Sequence, residues 1–236
     1  MLNAAALALD DLGSGMPVSA TTKSALDRMW AMQRADGAWD WLEFALEPWE
    51  RGSDWGAAMA ALVAGTIPPD TTTAQTLGTT KLIGYLRQRL ADRTTTMALH
   101  DRAMLLWASG TLSGLLEPAQ AKAIADDLAK TQQADGGFAL SSWGRGNRVI
   151  DAETNKGDGY ATSLAILALC RGAADGPKRE DVRRGLAWLA RNQREDGSWV
   201  GRSVNVANAQ NQAFMTDAAT AYASMAIAAC GPRSTP

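Results

Sequence analysis

Gln193-Arg194-Glu195-Asp196-Gly197-Ser198-Trp199 repeats the pattern of Gln33-Arg34-Ala35-Asp36-Gly37-Ala38-Trp39. A third copy, Gln133-Ala134-Asp135-Gly136-Gly137-Phe138, is one residue shorter, or equal in length if counted from Gln132. Asp-Gly marks a turn, because Gly takes a positive φ without a Cβ clash. Recurrence at a long period is the signature of a repeat architecture. What flanks these turns therefore decides the fold.

Ahead of them lie amphipathic helices. Leu26, Met29 and Trp30 lead to Gln33, and Val182, Leu186 and Leu189 lead to Gln193, at the spacing of one helix face. Lys23, Asp27 and Arg28, or Arg183, Arg184 and Arg191, take other faces. After the turns come runs without charge: Trp55–Gly65, Tyr160–Cys170 and Ala218–Cys230. A helix apolar all round is expected to be buried on every side. A fourth pair, Lys81–Leu90 and the run from Asp101 to Gly110, is joined by residues 91–96 without the Gln-Asp-Gly-Trp turn. Asp54, Asp101, Asp158 and Asp217 precede or open the buried runs, where an Asp suits an N-cap.

Half-wetted helices alternating with buried ones pack most simply as an outer and an inner ring. The expectation is an all-α protein, an α/α-toroid spanning 1–236 as one domain. It has four helical hairpins plus the end of an earlier buried helix in Leu2–Leu9. The ring reads as incomplete at its N-terminus, with 231–236 as a tail.

Composition agrees. Among 236 residues Ala supplies 45, and Val and Ile together supply 13, which argues against a β-sandwich or barrel. The net charge of −2 offers no basic surface for nucleic acid. The single His excludes a multi-His metal centre, and Cys170 and Cys230 form neither a disulfide framework nor a metal spacing, so both read as small core residues. No apolar run approaches the ~20 residues of a membrane span. The first residues lack the basic start of a secretory leader. The compartment stays open.

The Gln-to-Trp turns, each closing an outer helix before an apolar inner one, resemble the QW repeats of squalene-hopene cyclases and related terpenoid cyclases. The protein prenyltransferase β-subunits share that toroid. The resemblance runs from Leu26 to about Cys230. It implies structural roles for Gln33 with Trp39, Gln133 with Phe138, and Gln193 with Trp199. Phe138 has no indole N–H to donate. A complete toroid of that family carries more hairpins than are found here. Further hairpins or a partner domain are therefore expected to complete the ring.

In squalene cyclases the acid is the middle Asp of an Asp-x-Asp-Asp-Thr motif opening an inner helix. The nearest match is Asp158-Gly159-Tyr160-Ala161-Thr162, with Tyr160 in the donor's place. A phenol of pKa about 10 is too weak to protonate an alkene. Asp158 and Asp217 remain as catalytic candidates, and no metal or other cofactor is expected. The prenyltransferase zinc site would need an Asp-x-Cys pair, which is missing. His100 reads as a helix-start residue, and Cys230-Gly231-Pro232 is no thioester motif.

Trp41, Trp49, Trp55, Trp143, Tyr160, Phe214 and Tyr222 are the candidate lining of a cavity for an isoprenoid or other apolar ligand. Trp107 and Tyr222, at helical spacing, read first as core, whereas for Trp41, Trp49 and Trp143, in loops, core and cavity lining weigh about evenly. Arg145, Arg148 and Lys156 read as solvated. The expected function is a terpenoid-cyclase-like isomerase, or part of one. The alternative is a non-catalytic toroid that binds a lipid or a protein partner.

Overall fold

The computed structural model describes residues 2–13, 15–68, 73–92, 97–144, 151–205 and 208–232. Arg145, Arg148 and most of the expected tail lie outside these. Among the described residues the regular elements are all helical: α1 (Leu2–Gly13), α2 (Ala20–Ala31), α3 (Ser53–Thr66), α4 (Thr73–Ala91), α5 (Leu99–Ser109), α6 (Pro118–Lys130), α7 (Gly159–Gly172), α8 (Glu180–Asn192) and α9 (Ala209–Cys230).

The odd-numbered helices pack in succession, α1 on α3, α3 on α5, α5 on α7 and α7 on α9. Each even-numbered helix lies against its predecessor, α2 on α1 through to α8 on α7. The row is bent. The Glu47 backbone N–H, ahead of α3, donates to Asn205 Oδ1, ahead of α9, at 2.9 Å. Trp107 of α5 meets Tyr222 of α9 with ring centroids 6.1 Å apart. The arrangement is an α/α-toroid, with odd helices inside and even helices outside.

Every residue of α7 from Gly159 to Cys170 is buried, because α5 and α9 flank it and α8 covers its back. In α3, Trp55–Ala58 and Ala60–Val63 are buried. α9 departs from expectation. Met215, Ala219, Ala223, Ala226 and Cys230 are buried, while Phe214 and Ile227 are 60% and 42% exposed. α9 packs on α7 and more lightly on α8, so freedom from charge did not mean burial on every side.

Of the four expected N-caps, only Asp158 is one: its carboxylate accepts from the Ala161 N–H at 2.9 Å. Asp54 sits inside the first turn of α3, where Gly52 is the cap, and its two oxygens take Arg89 Nε and Nη2 at 2.8 Å each. Asp101 sits inside the first turn of α5, capped by Ala98. Asp217 falls within α9, which starts earlier, at a cap made by Asn208. The polar run Gln210-Asn211-Gln212 continues the helix that the sequence pattern began only after Asp217.

Two of the three turns reach a neighbouring outer helix through their Gln. Gln33 Nε2 donates to the carbonyls of Gly37 and Gly78, both at 2.9 Å, and Trp39 Nε1 to that of Met29 at 2.7 Å. Gln193 Nε2 donates to Gly197 O at 3.0 Å, and Trp199 Nε1 to Leu189 O at 2.8 Å. In the middle copy Gln132 takes this part, reaching Gly136 O at 3.0 Å and Asp181 O at 2.8 Å. Gln133 reaches Asn155 O instead. Phe138 donates no side-chain bond. Trp188 of α8 supplies an indole N–H to that turn, on Asp135 Oδ2 at 3.0 Å.

The cysteines correct the sequence reading. Cys170 and Cys230 are disulfide-bonded, Cα atoms 6.2 Å apart, because the ends of α7 and α9 lie side by side.

Candidate functional site

The centre of the ring is held by Tyr160, in the first turn of α7 and fully buried. Its hydroxyl lies 2.7 Å from His100 Nε2 of α5 and 2.9 Å from Trp49 Nε1. Tyr222 packs edge-on against its ring at 4.9 Å, and Trp49 does so at 5.2 Å. His100 Nδ1 in turn lies 3.1 Å from Asp101 Oδ1.

The donor inventory orders these bonds. An indole N–H only donates, so Tyr160 Oη accepts from Trp49. The phenol proton then goes to His100 Nε2. That leaves the imidazole proton on Nδ1, where it donates to Asp101. This tautomer is assigned from the network. Burial raises the Tyr160 pKa well above 10 and pushes Tyr222 up to about 12, so both phenols stay neutral. Burial also raises Asp101, against the hydrogen bond from His100. Burial lifts Asp158 to about 6, opposed by the N–H groups of Ala161 and Leu140, which hold one oxygen each.

Of the seven candidate lining residues, the structure brings together Trp49, Tyr160, Phe214 and Tyr222, with Phe214 edge-on to Trp49 at 5.4 Å. Trp41 and Trp55 form a separate pair at 5.0 Å, Trp41 donating to the Trp49 carbonyl at 2.6 Å. Trp143 is 2% exposed, packs on Phe138 and donates to Thr131 Oγ1 at 3.0 Å. Asp217 is exposed. Lys156 is exposed and paired with Glu153.

Three cavities bear on function. One of about 140 Å³ is lined by Leu46, Trp49, Phe214 and Met215 with polar neighbours. One of about 220 Å³ is strongly polar and has Asp101 in its wall, with Arg34, Arg51 and Arg89 as well as Glu47 and Asp54. The third, about 910 Å³, lies at the C-terminal ends of α7 and α9, bounded by Leu186, Ala187 and Ala190 of α8, by Arg171 and Arg183, and by both cysteines. The fully buried Tyr160 lines none of the three.

Residues 108–216 match the family model of the squalene-hopene cyclase C-terminal domain. Over that stretch the chain is squalene-hopene-cyclase-like. No curated protein matches it. The cyclase-like stretch contains Tyr160 and Asp158, while Trp49, His100, Asp101 and Tyr222 lie outside it.

Sequence reasoning missed His100 and Asp101 as partners of Tyr160. His100 is 60 residues upstream of it with Asp101 the next residue, and the stacking of α5 on α7 joins them. The available signal was the chain's single His, placed at the start of an inner helix. Among the described residues no group of His, Cys, Asp and Glu could hold a metal ion, and no helix is long and apolar enough to cross a membrane.

Proposed function

We propose that this cyclase-like toroid is a binding module for an apolar chain of isoprenoid type and not a cyclase. One observation carries the reading. At the position where the resemblance puts the proton donor stands Tyr160, a neutral phenol whose hydroxyl is engaged by Trp49 and His100. Class II cyclisation needs a strong acid facing a dry cavity, with aromatic faces free to stabilise a cation. Here the aromatic faces at the hub pack on one another.

Ligand pockets usually run to about 300–1,000 Å³. Cavities of about 570, 840 and 910 Å³ are in that range, and of these the 910 Å³ groove beside α8 has Leu186, Ala187, Ala190 and Ala229 among its walls. Asp158 is spent as a cap and is no free acid.

The competing enzyme reading has one observation in its favour: Asp101 is a buried inner-ring acid of raised pKa. The cavity it lines is about 220 Å³ and is walled almost wholly by charged and polar groups of both signs, which is unsuited to an alkene chain.

The test is incubation of the purified protein with squalene in detergent, with gas chromatography of the products, beside a fluorescence titration with farnesol. No cyclised product is expected. Farnesol is expected to bind, and Ala190→Trp to weaken it at least tenfold. A cyclised product, or equal binding by the variant, overturns the reading.

A further inference from the structure

The large groove at the ends of α7 and α9 is lined by both members of the Cys170–Cys230 disulfide. Each cysteine is 6% exposed, and the residues on either side of Cys230, Ala229 and Gly231 with Pro232, also line the groove. Both ends of the disulfide therefore border the groove. The side chain of Arg171, next to Cys170 in the chain, lines the same groove and makes no hydrogen bond or ion pair among the described residues. Arg183, the second guanidinium on the wall, is paired with the exposed Glu180 and bonds the Lys178 carbonyl.

We infer that this groove is a thiol–disulfide exchange site selective for small anionic thiols. Exchange proceeds by attack of a thiolate on one sulfur of the disulfide. The incoming thiolate forms a bond to Cys230 Sγ as the Cys170–Cys230 bond breaks. The electron pair leaves on Cys170 Sγ, which takes a proton from water. A second thiolate then attacks the mixed disulfide, releasing the low-molecular-weight disulfide and leaving two protein thiols. The thiol itself is the reductant. A carboxylate or sulfonate on it is drawn by Arg171, and Arg171 also favours the departing Cys170 thiolate. The inference is argued from the disulfide and Arg171 and does not rest on the isoprenoid reading, which uses the same groove; the exchange assay is run without farnesol.

The experiment compares 2-mercaptoethanesulfonate with cationic cysteamine, following mixed-disulfide formation on the whole protein by mass spectrometry at low salt. Each rate is divided by that of the same thiol with the uncharged disulfide of 2-mercaptoethanol, which removes differences in thiol pKa. The normalised rate is expected to favour the anion at least fivefold. That preference should shrink severalfold in Arg171→Gln and in 0.5 M salt, where charges are screened. Equal normalised rates, a preference for cysteamine, an unchanged preference in the variant, or two free thiols in the protein as purified would each overturn the inference.

Discussion

His100 Nε2 and the Tyr160 hydroxyl stand 2.7 Å apart, joining two neighbouring inner helices by a bond fully enclosed in protein. The same oxygen accepts the Trp49 indole N–H, so one atom holds α5, α7 and the loop ahead of α3 together.

Tyr160→Phe should therefore cost far more than one surface hydroxyl. It strands an imidazole nitrogen and an indole N–H, and each unsatisfied buried group costs about 1–3 kcal/mol. Urea denaturation should show a loss of about 3 kcal/mol. A loss below about 1 kcal/mol would mean the hub is wet or loosely bonded.

Gln132→Ala and Gln133→Ala separate neighbours with different partners. Gln132 spans from its own turn to the start of α8, while Gln133 makes a bond exposed to solvent. The first change should lower stability by about 1–2 kcal/mol and the second by less than about 0.5 kcal/mol. Thermal melts of the two variants side by side decide it.

Asp158 should give stability an unusual slope with pH. Its folded pKa is raised from the ordinary 3.8 to about 6, so between those values the folded state holds a proton that the unfolded state has released. Stability contributed by this group falls as pH rises from about 4 to about 6, then levels. At 1.36 kcal/mol per pH unit the fall is about 3 kcal/mol. The difference between wild type and Asp158→Asn, measured across that range, isolates it from carboxylates with the opposite slope, such as Asp36 and Asp127. A flat difference would refute the assignment.

Cys230→Ser removes a link between positions 60 residues apart. Chain-entropy reasoning gives about 4 kcal/mol for a loop of that length. Denaturation with and without a reductant should show the drop in wild type only.

The repeat was legible because a turn chemistry, Gln with Asp-Gly and an aromatic, recurs whatever surrounds it. Burial of α7 was legible too, since an uncharged run with a helix on each side has nowhere else to go. α9 was not, because its neighbours, and not its composition, set which face is wet. The carboxylates show the same divide. Asp158 was readable as a cap from local sequence. Asp54 went to Arg89, 35 residues away, and Asp101 to a histidine whose other nitrogen faces Tyr160 on α7. Cys170 and Cys230 looked like two unrelated core residues until the ends of α7 and α9 were placed together.

At the ends of α5 and α7 two glycines let backbone meet backbone. A Cβ on Gly172 would lie 1.8 Å from the Leu106 carbonyl oxygen, and one on Gly110 would lie 2.1 Å from that of Arg171. These helices are pinned together at that end with no room for a Cβ between them. Any side chain there would have to pry the pair apart like a wedge in a hinge, and the splay would travel along both rods to the opposite end, where His100 and Tyr160 meet. A single methyl group far from the hub would thus be felt at its most tightly bonded atom.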